Sequence, residues 1–337
     1  MKNAESIKPD MAIQKQSVEG LAEYFARNID TVNLTGLYNG KAGLSLSLFV
    51  ASKYLQDEKL EDIAYRLIRE ALVIKNNDLG FENGLAGIGY ALLLLIENNY
   101  LEADFDEVFG AQYKEIIGFF ENIDKHPSHL INLFPVIYFI STVSRIKNDS
   151  RIQLIIKKFF EGLELFLIIH FQDFYDLHYI GIKTDVLHIY KTYLRLVDYS
   201  GYGYFSRCVM DDYAALYRKG KAVSSLETGY YLQMITNKYH ISGYEDVIND
   251  HIVYGTKTIF PNTLSLRERI DSAKLMYRLQ IKGLKDVESF LEMKSMRKET
   301  AIRNLLKTVD EKYNPLGYGY GLARLLIYYA DGNMEML

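Results

Sequence analysis

The feature that most constrains this chain is a glycine-rich segment that occurs twice. Residues 36–43 and 80–87 share the pattern Gly-x-x-Asn-Gly-x-Ala-Gly at an offset of 44 residues, and each runs into a long apolar stretch. A partial third copy keeps Gly317, Gly321 and Ala323 but carries Arg324 where the others have their last glycine. Repetition at such a period indicates stacked helical pairs. A glycine inside a helix costs about 1 kcal/mol relative to alanine, so helices that begin with several of them must gain close approach in return. Asn39 and Asn83 read as N-caps that start helices at Gly40 and Gly84, and the Leu/Ile/Ala runs behind them bury on nearly all sides. Such helices gather their glycine-rich ends together, and free backbone N–H groups there offer a place for a ligand.

Helical periodicity extends along the rest of the chain. Leu60, Ile63, Ala64, Leu67, Ile68 and Ala71 form the stripe of an amphipathic helix, with Glu61, Arg66 and Arg69 facing water. Helices of the more uniformly apolar kind are expected to start near Gly40, Gly84, Ser128, Gly181, Val223, Ser265 and Gly317. Seven of these alternating with seven amphipathic ones predicts an all-α fold, an α/α toroid with an inner and an outer ring. Closure lets the last repeat pack beside the first, where an open array would need polar capping repeats. The third and sixth inner helices, at 130–144 and 264–279, lack the glycines. Residues 1–16 read as a flexible arm and 17–337 as a single toroid domain.

Composition excludes several classes. The formal charge is −4, and Lys and Arg are scattered without a basic stripe, which argues against nucleic acid as a partner. The longest uncharged apolar run, 85–96, is too short to span a bilayer, and the N-terminus lacks a signal-like apolar core, so the expected location is the cytoplasm with no membrane partner. The single cysteine, Cys208, rules out an internal disulfide framework and any multi-thiolate metal site. Trp is absent while Tyr numbers 28, which removes the indole faces that sugar grooves favour.

Glycine motifs at the start of buried helices, repeated about every 44 residues in seven pairs, resemble those of the lanthionine synthetase C-like proteins. The likeness of motif is good in repeats one, two and seven. It implies an α/α toroid and, in active members, a zinc ion that activates a peptide cysteine thiolate for addition to a dehydrated Ser or Thr. The family's zinc is held by a cysteine of the fifth inner helix and by a Cys-His pair opening the sixth. Here Ser224 stands at the first position and Ser265-Leu266 at the pair, while the family's His-Gly pair is best matched by Ile180-Gly181 with His178 nearby. Serine hydroxyls are poor zinc ligands beside thiolate and imidazole, so no metal and no cofactor is expected.

Two classes of function follow. One is a catalytically silent family member that binds a peptide or a peptide-modifying partner at the glycine-rich mouth, with Tyr38, Asn39, Glu82, Asn83, Tyr318 and Tyr320 as candidate contacts. The tyrosines equally suit a filling role, occupying volume that the glycines leave. The other is an active enzyme: a lanthionine-type cyclase with an atypical site, or a metal-independent acid/base enzyme such as an α/α-toroid glycosidase. For the latter, His178, Asp185 and Glu227 are the candidate catalytic groups, although acidic residues at helix starts also answer the helix dipole. Cys208 reads as a small buried hydrophobe on an outer helix, and His126 and His129 as residues of an exposed loop.

Overall fold

The computed structural model describes residues 11–121, 133–173, 183–260, 263–281, 291 and 299–331. Fourteen α-helices occur among them: α1 (Met11–Asn28), α2 (Lys41–Leu55), α3 (Glu58–Val73), α4 (Leu85–Glu97), α5 (Phe105–Glu121), α6 (Phe134–Ile146), α7 (Ser150–Asp173), α8 (Thr184–Ser200), α9 (Arg207–Arg218), α10 (Leu226–Tyr239), α11 (Glu245–Lys257), α12 (Leu266–Arg278), α13 (Glu299–Leu306) and α14 (Leu322–Ala330). No strand is present among the described residues. The all-helical content and the alternation agree with the α/α toroid class. The even-numbered helices are the more buried kind: eleven of the 13 residues of α4 are buried, against five of the 16 in α3. In α3 the apolar stripe faces inward, and Asp57 caps its start by accepting from the N–H groups of Lys59 and Leu60 at 2.9 and 3.3 Å.

The chain divides into two compact units, residues 1–113 with 260–337, and residues 114–259. The first division falls within α5. In the first unit α2 packs against α4 on one side and α14 on the other, and α14 in turn touches α12; α1 and α3 cover α2. The first and last repeats are therefore neighbours, as the sequence predicts. In the second unit α8 lies between α6 and α10, with α7 against α6 and α8 and α11 against α10.

Three expectations need correction. Residues 11–16, assigned to a flexible arm, form the first turns of α1, whose Val18, Leu21 and Phe25 are buried. The last buried helix starts at Leu322 and not near Gly317, because residues 315–321 fold as the loop that precedes it. The fourth and fifth begin at Thr184 and Leu226, each three residues beyond the expected glycine and valine, with Ser225 capping the fifth through Thr228 N–H. The third begins at Phe134; Ser128, His126 and His129 lie outside the described residues.

Candidate functional site

The glycine motifs build one continuous structure in the first unit. In each copy the loop before the helix folds back, and its carbonyls take the first helical N–H groups at the same sequence interval. Lys41 N–H donates to Leu34 O at 2.9 Å, Leu85 N–H to Asp78 O at 2.7 Å and Leu322 N–H to Pro315 O at 2.9 Å. A second bond repeats in two copies, Ala42 to Thr35 and Ala323 to Leu316, both at 3.1 Å. These bonds correct two sequence readings. The N-cap residues are Gly40, Gly84 and Gly321, with no side-chain cap, and the N–H groups expected to be free for a ligand are spent on the loop.

Asn39 and Asn83 tie neighbouring loops together. Asn39 Nδ2 donates to Asn83 Oδ1 at 3.3 Å, Asn76 Nδ2 donates to Asn83 O at 2.8 Å, and Asn314 Nδ2 donates to Asn39 O at 2.9 Å. The backbones join as well: Gly319 N–H donates to Tyr38 O at 3.1 Å, and Tyr38 N–H donates to Glu82 O at 2.6 Å. These three residues hold the same position in the three motifs, so the junction of the last repeat with the first uses the bond that joins the first to the second.

This close stacking explains the glycines. A Cβ on Gly36 would collide with the Asn83 backbone, and one on Gly43 or Gly87 would strike the carbonyl of Leu37 or Phe81 in its own loop. Gly43 also lies against Tyr318 Cβ and Gly87 against Leu37 Cβ, so one repeat's second motif residue fills the notch at the next repeat's last glycine. Tyr38 covers Gly319 in the same way. Tyr38, Tyr318 and Asn39 are buried at 5%, 0% and 8% exposure, so the filling role applies to both tyrosines; Glu82, Asn83 and Tyr320 are half-buried. All six candidate contacts are thus brought together, and three of them present surface.

Several contacts here have no counterpart in the sequence reading. Arg324, fully buried where the motif has glycine, sends its guanidinium to Asp271 Oδ1 of α12, with Nε at 3.1 Å and NH2 at 2.5 Å. Asp271 Oδ2 lies 3.7 Å from Nε of Arg267. The Arg267 guanidinium is in turn 5.6 Å from the Tyr38 ring centroid and 4.8 Å from that of Tyr320. Tyr320 stacks on Tyr313 at 3.7 Å, and burial together with the Tyr313 hydrogen bond holds its phenol well above the usual range, so it stays protonated. The arginine at a glycine position was visible in the sequence and required a carboxylate partner; nothing there singled out Asp271.

The acid/base candidates are placed as follows. Glu227 is paired with Lys191 Nζ at 3.0 Å, Asp185 is exposed, and His178 lies outside the described residues. Cys208 is exposed on α9 and not buried, because the helix turns Val209 and Met210 inward instead. In the second unit His251 is completely buried: Ser225 N–H donates to Nδ1 at 2.9 Å, which leaves the proton on Nε2 to face Tyr213 Oη at 3.0 Å. Burial lowers its pKa to about 4.

The residues that the resemblance sets at zinc-ligand positions are engaged in bonds of their own or buried. Ser224 Oγ is hydrogen-bonded to Tyr217 Oη at 2.7 Å. Ser265 is the N-cap of α12 in a capping box, its Oγ and N–H both donating to Glu268 Oε2 at 2.7 and 2.8 Å, and Leu266 is buried. No group of three His, Cys, Asp or Glu side chains able to hold a metal occurs among the described residues. No described helix is long and apolar enough to cross a membrane.

Compared with known families, residues 4–129 match the one described as Lanthionine synthetase C-like protein. That stretch contains the first two glycine motifs, the segments on which the sequence resemblance rests most firmly. No curated protein matches the chain.

Proposed function

We propose that this chain, whose residues 4–129 match the family described as Lanthionine synthetase C-like protein, binds a peptide at the glycine-rich mouth without zinc-dependent cyclisation. The family match over residues 4–129 supports the peptide context. The observation that carries the silent reading is the use of Ser265: its hydroxyl is committed to the capping box of α12, at a position where the resemblance calls for a thiolate. The repeated loop-to-helix bonds give the glycine motifs one common frame, and serines stand where the resemblance calls for the groups of a metal-bound thiolate. Glu82, Asn83 and Tyr320 supply the surface that a peptide meets there, set on a backbone fixed by hydrogen bonds between loops. A peptide-modifying enzyme that delivers such a peptide is the corresponding protein partner.

A model peptide with one dehydroalanine and one cysteine tests both halves. Thiol alkylation followed by mass spectrometry should show ring closure no faster than in buffer, while fluorescence anisotropy of the labelled peptide should rise on adding protein. Ring closure accelerated by the protein would overturn the silent reading, and unchanged anisotropy for this and unrelated peptides would overturn the binding reading.

A further inference from the structure

A cavity of about 400 Å³ opens beside the seam, between the start of α12 and the segment leading to α14, and Ser265, Lys307, Asp310, Lys312, Tyr313 and Tyr320 line it. Tyr320 belongs to the third glycine motif and Ser265 caps the helix that bears Arg267, so the cavity continues the mouth already described. Its charge is unbalanced. Asp310 is the one acidic residue of the lining, and it is neutralised by Lys312 Nζ at 3.3 Å. The ammonium of Lys307 is bonded to the neutral amide oxygen of Asn304 at 3.2 Å. Among the lining residues themselves the cations outnumber the carboxylates by one, while Glu268 Oε2, accepting from Ser265 Oγ at 2.7 Å, sets a carboxylate beside that residue.

Arg267 sets a guanidinium beside Tyr320, and the nearby Asp271 carboxylate, 3.7 Å from its Nε, is shared with Arg324. Lys312 Nζ lies 4.9 Å from the Tyr313 centroid, Tyr313 stacks on Tyr320 at 3.7 Å, and the Arg267 guanidinium lies 4.8 Å from the Tyr320 centroid. The stacked rings are thus associated with a cation at each end, and these contacts fix positive charge along the wall. Such a surface recognises carboxylates, whereas the chain as a whole, at −4, repels them.

We infer that this cavity is the subsite for an acidic segment of the bound peptide, with Lys307 and Lys312 contacting its carboxylates and Tyr313 and Tyr320 its backbone and side-chain stems. The inference rests on the peptide-binding reading. It is tested with fluorescein-labelled decapeptides of alternating Gly and Glu, Gly and Gln, or Gly and Lys, titrated with the full chain in low salt and followed by anisotropy. The Glu peptide should bind at least tenfold more tightly than the Gln peptide and weaken as salt is added. The double variant Lys307→Glu/Lys312→Glu, with circular dichroism confirming its fold, should lose at least tenfold for the Glu peptide and nothing for the Gln peptide. Lys59→Glu, an exposed change on α3, should alter neither. Equal binding of the Glu and Gln peptides, or an equal loss in Lys59→Glu, overturns the acidic subsite and leaves peptide binding intact. Failure of all three peptides to bind overturns both.

Discussion

Asn314 grips Asn39 twice across 275 residues of sequence: its backbone N–H donates to Asn39 Oδ1 at 3.0 Å and its Nδ2 donates to Asn39 O at 2.9 Å. This pair fastens the last glycine loop to the first. Asn39 is buried, so its replacement by alanine leaves Asn314 N–H and Asn83 Oδ1 without their partner. Asn39→Ala should cost about 2–3 kcal/mol, read as a lower urea midpoint. Amide exchange at Leu322 and Ala323 should speed up in the same variant. An unchanged midpoint would show that the junction does not depend on this residue.

The repeat at 36, 80 and 317 placed these loops side by side before any coordinates, because glycine spacing reports where backbones must approach. It did not report what the asparagines do. A polar residue before an apolar run fits an N-cap, but here the loop carbonyls had already taken the first N–H groups, and Asn39 and Asn83 were free to bond across repeats. The role of Tyr38 and Tyr318 also required packing information, since the same residue type serves a surface or fills a notch. Arg267 and Asp271 went unnoticed because α12 is rich in charge, and only geometry shows which of its charges point toward Arg324 and Tyr320.

The glycine argument makes a prediction in which sign decides. At Gly87 an added methyl group would strike the carbonyl of Phe81 and crowd Leu37, whereas at Gly118, in α5, it would meet nothing within 4 Å. Gly87→Ala should therefore destabilise by about 2 kcal/mol or more despite alanine's better helix propensity. Gly118→Ala should stabilise by up to about 1 kcal/mol. Thermal melts of the two variants decide it, and the same sign for both would refute the close approach.

The Arg324–Asp271 pair should show the asymmetry of buried ion pairs. Asp271→Asn strands a guanidinium with no exposed surface and should cost about 3 kcal/mol. The double change Asp271→Asn/Arg324→Met removes the stranded charge and should recover most of that loss. Urea denaturation of the single and double variants measures the difference, and additive losses would contradict the pairing.

His251 predicts a pH dependence. Its folded pKa of about 4 lies below the ordinary value of 6.5, because burial of the ring penalises the charged form. The unfolded chain therefore binds the proton first as pH falls. The stabilisation is complete above pH 6.5 and is lost between there and about pH 4, amounting to about 3 kcal/mol at most. Stability of the wild type and His251→Gln, measured from pH 7.5 to 4.5, should converge as pH falls; parallel curves would contradict the burial of a neutral ring.

The proposal that this chain works without zinc is tested most directly by its metal content. The purified full chain, dialysed exhaustively and analysed by inductively coupled plasma mass spectrometry, should carry less than about a tenth of an equivalent of zinc, because the family's site needs thiolates and imidazole together. About one equivalent of zinc retained per chain would contradict the account.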